Sequence, residues 1–121
     1  MDDLSDAATA IGAVNTVVKG ADGRLFGDNT DWIGIHSLVA AALREQRGGE
    51  EGGEGGELAA ADMAGKTGLV VGAGGTALAA AYCVQQLGMR LVVHNRTHAK
   101  AQAVAERFGG VALASFVCPL L

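Results

Sequence analysis

Aromatic side chains make up only 4 % of this 121-residue chain, a single Trp, a single Tyr and three Phe, so any core must rest on Val, Leu, Ile and Ala. Cysteine is equally scarce. Cys83 and Cys118 form no CxxC pair, and a small disulfide-stapled scaffold would carry more of them. Cys83, within an apolar helical stretch, reads as a core thiol. Three scattered histidines without metal-ligand spacing argue against a metal site. An excess of basic residues is also lacking. With a net charge of −4 there is no positive field to attract nucleic acid. No charged N-terminal region runs into a hydrophobic stretch, so no secretory signal is read, and the expected location is cytoplasmic.

One absence invites a wrong conclusion. No charged residue occurs between Thr67 and Met89, a length that suggests a membrane span. The stretch nevertheless holds a glycine cluster, adjacent Gln85 and Gln86, and a breaker at Gly88. A soluble strand followed by a helix buried on most sides explains it better, and no membrane association is expected. Gly65-Lys66-Thr67 resembles the end of a P-loop, but the glycine required five positions earlier is Ala60 and no strand precedes it.

What is present points to an α/β protein. Nineteen glycines and an apolar content of 50 % suit strands buried on both faces, which read as continuous apolar runs. The β-branched run Leu69, Val70, Val71 leads straight into Gly72-Ala73-Gly74-Gly75-Thr76-Ala77, then an uncharged helical stretch to Leu87, then a second apolar strand at Leu91 to Val93. Strand, glycine turn, helix, strand is the first half of a dinucleotide-binding unit. Gly72 permits the tight turn, Gly74 lets the backbone approach a pyrophosphate, and Ala77 occupies the third small position, where helix packs on strand. The helix N-terminus offers free N–H groups to the phosphates.

The end of the second strand sharpens the cofactor. NAD-binding units usually place a carboxylate there, about 20 residues on, to bond the ribose 2′-hydroxyl. This chain has His94-Asn95-Arg96-Thr97 instead. A guanidinium pairs with a 2′-phosphate in bidentate fashion and stacks on adenine, where a carboxylate would repel the phosphate. Asn95 and Thr97 add neutral hydrogen-bonding groups. The expected cofactor is therefore NADP, the alternative being that Arg96 is a solvated residue opening the next helix.

At 121 residues the chain suits one ordinary domain or two small pieces. Residues 47–57, Arg-Gly-Gly-Glu-Glu-Gly-Gly-Glu-Gly-Gly-Glu, cannot bury apolar surface and read as an acidic linker between pieces 1–46 and 58–121. In the first piece, Ile11 to Val18 reads as a strand, Ala21-Asp22-Gly23 as a turn and Arg24 to Phe26 as the returning strand of a hairpin. Ile35, Leu38, Val39, Ala42 and Leu43 then recur at helical spacing, with Thr30 or Asp31 placed to cap. In the second piece the expected elements are strand 67–71, helix 76–87, strand 90–94 and helix 98–108, stopped by Gly109-Gly110. A third strand starts at Val111, and a complete doubly wound sheet is not expected from this chain.

Val14-Asn15-Thr16 and Asn29-Thr30-Asp31 gather short amide, hydroxyl and carboxylate groups where hairpin meets helix. On physical grounds alone these are turn and cap residues, with Asn15 a half-exposed strand residue. The other reading is a site that hydrogen-bonds a polyol and moves a proton from its hydroxyl.

The succession Gly12-Ala13-Val14-Asn15-Thr16, Gly27-Asp28-Asn29-Thr30-Asp31 with Gly34, Gly72-Ala73-Gly74-Gly75 and Asn95-Arg96-Thr97 resembles the shikimate dehydrogenases over nearly the whole chain. Asp31-Trp32-Ile33-Gly34 is most similar to the fungal type, in which this domain often ends the pentafunctional arom polypeptide. The resemblance implies the end of an α/β substrate-binding domain followed by a partial Rossmann-type NADP-binding domain. It implies NADP-dependent, reversible reduction of 3-dehydroshikimate to shikimate. It also implies that Asn15 binds substrate, that Asp31 binds the substrate hydroxyl and shares proton transfer with a lysine, and that Gly72 to Ala77 and Asn95 to Thr97 bind NADP.

Two departures from the family pattern matter. The family's lysine lies upstream of the Ala-Val-Asn-Thr motif, whereas Lys19 follows it and does not match, so the isolated chain is expected to be inactive. Leu78 stands where bacterial relatives often have arginine. The same resemblance leaves quinate dehydrogenase, or a non-catalytic quinate- or shikimate-sensing regulator like the fungal repressors, as alternatives.

Overall fold

The structure, a computed structural model, describes residues 1–46, 63 and 65–115. The acidic stretch 47–57 and Cys118 lie outside the described residues. The elements run β1 (Asp3–Leu4), α1 (Asp6–Ile11), β2 (Thr16–Lys19), β3 (Leu25–Asp28), α2 (Asp31–Gln46), β4 (Thr67–Val71), α3 (Gly75–Gln86), β5 (Arg90–His94), α4 (His98–Phe108) and β6 (Val111–Ala112). They form two three-stranded sheets, ordered β1-β3-β2 and β4-β5-β6.

The first sheet holds the expected hairpin. Strands β2 and β3 pair antiparallel, Val17 opposite Gly27, and β1 adds in parallel on the far side of β3. The strand read over Ile11 to Val18 is not one element. Ser5 caps a helix by accepting the Ala8 N–H at 3.0 Å, and Ala7, Ala8 and Ile11 are buried on its inner face at helical spacing. Gly12, at φ 80°, ends that helix in the left-handed conformation that glycine tolerates best. The strand therefore starts only at Thr16. Ile11 belongs to a helical repeat that begins before the apolar run, and that is why reading the run alone as β failed.

In the second sheet β4 pairs parallel with β5 (Val70 opposite Val93) and β5 with β6 (Val92 opposite Val111), the arrangement that the strand–helix–strand pattern predicts. Helices α3 and α4 cover one face. Val70, Ala81, Leu91, Val93, Ala101, Val104, Ala105 and Phe108 form that core. Coverage of both faces, expected from the apolar runs, does not occur among the described residues. Leu69, Val71 and Val111 point the other way and are 49 %, 60 % and 64 % exposed.

Helix α3 lies between two cores. Its Ala81 faces the sheet, while Ala79 packs with Ala7 and Ile11 of α1, supported by Trp32 and Ile35 of α2. Burial on two sides explains why this helix carries no charge. Trp32 meets Tyr82 edge to face at 5.2 Å between centroids, joining α2 to α3. Cys83 is fully buried on α3, and desolvation pushes its thiol pKa up, in keeping with a core role. No helix among the described residues is long and apolar enough to cross a membrane.

Candidate active site

The residues singled out in sequence fall into two groups. The first sits where β2, β3 and α2 meet. Asn15 Nδ2 donates to Asp31 Oδ1 at 2.7 Å and to Thr30 Oγ1 at 3.2 Å, while Asn15 Oδ1 accepts the Thr30 N–H at 3.0 Å. Asn15, Thr30 and Asp31 are all exposed, so this network faces solvent.

Its foundation is Asn29, which is only 2 % exposed. Asn29 Nδ2 donates to the Ala13 carbonyl at 3.2 Å, and its Oδ1 accepts the Asp31 N–H at 3.1 Å. The turn role therefore belongs to Asn29, which sequence alone does not separate from its neighbours. Thr30 holds the N-cap position through its carbonyl, which accepts from Ile33 and Gly34. Its hydroxyl and the Asp31 carboxylate are directed to Asn15 instead of to the helix.

The second group surrounds the C-terminal ends of β4 and β5. Gly72 has φ 128°, a conformation that side-chain-bearing residues rarely adopt, and its N–H donates to the His94 carbonyl at 2.7 Å. This bond ties the glycine turn to the end of β5. A Cβ on Gly72 would lie 3.5 Å from the Ala77 methyl, so the small residue at 77 allows α3 to start close to the strand. Nothing lies within 4 Å of where a Gly74 Cβ would be, and no side chain caps the N-terminus of α3. Gly75, Thr76 and Ala77 form that first turn.

Ala73, Gly74, Asn95, Arg96, Thr97 and Lys100 line a cavity of about 230 Å³ there. Asn95 Nδ2 donates to the Thr97 carbonyl at 3.1 Å, shaping the turn that presents Arg96. Arg96 is exposed, and no ion pair engages it among the described residues. Lys100 was missed in sequence. A signal for it did exist: a lysine in the first turn of α4 meets the positive end of the helix dipole, an unfavourable place unless an anion is held nearby. Neither group includes a cluster of His, Cys, Asp or Glu able to hold a metal ion, among the described residues.

The family model for shikimate / quinate 5-dehydrogenase matches residues 56–117. The chain belongs to this family. Among its relatives, the pentafunctional AROM polypeptide of Yarrowia lipolytica is 41 % identical over 112 residues, 92 % of this chain and 6 % of that one. The chloroplastic bifunctional 3-dehydroquinate dehydratase/shikimate dehydrogenase of Arabidopsis thaliana is 39 % identical over 113 residues, 93 % of this chain and 18 % of its own. Shikimate 5-dehydrogenase of Thermus thermophilus, solved with NADP(H) and shikimate, superposes with a TM-score of 0.66 at 35 % identity. That match covers 94 % of this chain and 36 % of the solved one. The chain thus spans well under half the length of each of these proteins. The likeness establishes the α/β fold with its parallel sheet and places the chain in an enzyme family of dehydrogenases.

Proposed function

We infer that the chain carries part of the machinery of an NADP-dependent shikimate dehydrogenase, which reversibly reduces 3-dehydroshikimate to shikimate. Residues 1–46 supply the end of the substrate domain and 58–121 the first half of the nucleotide domain, joined by 47–57. The observation that carries this reading is the cavity where Arg96 and Lys100 flank Gly74, with no carboxylate among its lining residues. Two cations converging in a chain of net charge −4 suit a phosphate, and the open space at Gly74 suits close approach of a pyrophosphate. The residues present therefore fit NADP. Gly72 to Ala77 would hold the pyrophosphate, and Asn95, Arg96 and Thr97 would hold the 2′-phosphate, with Lys100 added.

NADPH bound there would supply the hydride for reduction, and NADP⁺ would accept it in the reverse direction. On the substrate side, Asn15 and Asp31 hydrogen-bond the ring hydroxyls. Asp31 binds the reacting hydroxyl and shares with a lysine the transfer of its proton. Among the described residues no lysine bonds Asp31, whose side-chain partner is Asn15. The 121 residues alone are accordingly inactive in this reading. The reading is tested by calorimetric titration of the chain with NADPH and NADH: tighter NADPH binding supports it, and equal affinities overturn it. Similarity to proteins that carry enzyme names favours this activity over a non-catalytic regulator.

A further inference from the structure

Arg107, in the last turn of α4, lies outside both groups, yet it reaches across the molecule to the helix that leads into Asn15. Its Nε donates to the Ala10 carbonyl at 2.9 Å and its Nη2 to the Thr9 carbonyl at 3.3 Å. These are C-terminal carbonyls of α1 that the helix itself leaves unsatisfied. The Ala8 carbonyl is already taken by the Gly12 N–H at 2.8 Å. The guanidinium also lies against Gly12, where an added Cβ would sit 2.6 Å from Nη2. Gly12 is thus small for two reasons, its φ of 80° and the cation packed on it.

Helix α1 has six residues, far below the length at which a helix is stable by itself. Its buried face is held by α3, and its open end by Arg107. Three residues after Gly12 comes Asn15, whose N–H is fixed by the Asp28 carbonyl, with the Ala13 carbonyl fixed by Asn29. We propose that Arg107 is a positioning residue for Asn15: a guanidinium carried by the nucleotide-side helix clamps the C-terminus of α1 and so sets the loop that presents Asn15 to Asp31. This rests on the reading of Asn15 as a substrate-binding residue. It adds that the placement of Asn15 is set from the nucleotide side of the molecule.

The experiment is amide hydrogen exchange, followed by NMR on the 121-residue chain, comparing Arg107→Met with Arg107→Lys. Methionine keeps the apolar stem and removes all donors, while lysine keeps the charge and one donor group. In Arg107→Met, exchange at the Gly12 and Asn15 N–H groups is expected to quicken about tenfold, the order set by one charged hydrogen bond. The Asn15 side-chain amide is expected to shift toward its solvated position. The Gly72 N–H, bonded to His94, stays protected, and Arg107→Lys recovers part of the loss.

Unchanged exchange at Gly12 and Asn15, or a uniform rise that includes Gly72, overturns the proposal and leaves Arg107 with a general stabilising role. Titration of the same samples with NADP⁺ judges the functional reading separately. Without any shift at Gly74 or Asn95 that reading fails, while the exchange pattern still decides the role of Arg107.

Discussion

Asn15 Nδ2 donates to Asp31 Oδ1 at 2.7 Å, joining two residues 16 positions apart at the mouth of the first sheet. The bond leaves the second oxygen of the Asp31 carboxylate free of protein donors among the described residues, and the pair is open to solvent. In the reading proposed above, a substrate hydroxyl would donate to that free oxygen.

Asp31→Asn separates chemistry from geometry. An amide oxygen accepts the Asn15 bond as a carboxylate does, but an amide takes no part in proton transfer at neutral pH. In a longer chain that includes the family's lysine segment, turnover should fall by about 10²-fold or more, with circular dichroism unchanged. Turnover equal to the parent enzyme would remove Asp31 from the reaction.

Arg96→Ala addresses cofactor choice. Losing a charge-assisted contact to the 2′-phosphate should cost roughly 1.5–3 kcal/mol, so NADPH binding weakens by about one to two orders of magnitude. NADH, which has no such phosphate, should lose less than about threefold by calorimetry. Equal losses for the two cofactors would refute the assignment of Arg96.

Asn29→Ala tests the support beneath the pair. The substitution strips a buried side chain that bonds both Ala13 and Asp31, leaving the Ala13 carbonyl and the Asp31 N–H without it. Stability should drop by about 1–3 kcal/mol, read as a lower urea midpoint at constant slope. A shift no larger than that of a surface substitution, within about 0.5 kcal/mol, would show that water replaces both bonds.

The face of the second sheet that no described helix covers predicts behaviour in solution. Leu69, Val71 and Val111 present apolar surface, and β4 has no partner on its outer edge among the described residues. Such edges invite pairing with another chain. Sedimentation velocity should show association that rises with concentration and falls in Leu69→Thr/Val71→Thr. Monomeric behaviour at every concentration would show that this face does not drive association.

Direct assay of the 121 residues with shikimate and NADP⁺, following NADPH absorbance, should show no turnover, since no lysine joins Asp31 among the described residues. A rate in the common enzyme range of about 1–10³ s⁻¹ would require another group to do the work of the lysine.

What the sequence by itself determined is the second half of the molecule. The bounds 67–71, 90–94 and 98–108 were legible because their causes are local: a β-branched run, a glycine turn, an uncharged helical stretch and a Gly-Gly stop. Asn95, Arg96 and Thr97 follow a strand end at the expected distance, so their place beside Gly74 was legible too. Contacts between distant residues decided the rest. Nothing local distinguishes Asn29 from Asp31, yet one is buried beneath Ala13 and the other turned outward to Asn15. The apolar runs of β4 and β5 do not reveal that, among the described residues, helices cover only one face, because that depends on where α3 and α4 pack. Ile11 reads as the start of a strand until α3 buries it as part of a helix, and Arg107 is an ordinary solvated cation until the fold sets it against carbonyls 97 and 98 positions away. Periodicity and turn chemistry act over a few residues, whereas burial and long-range hydrogen bonds exist only once the chain has closed on itself.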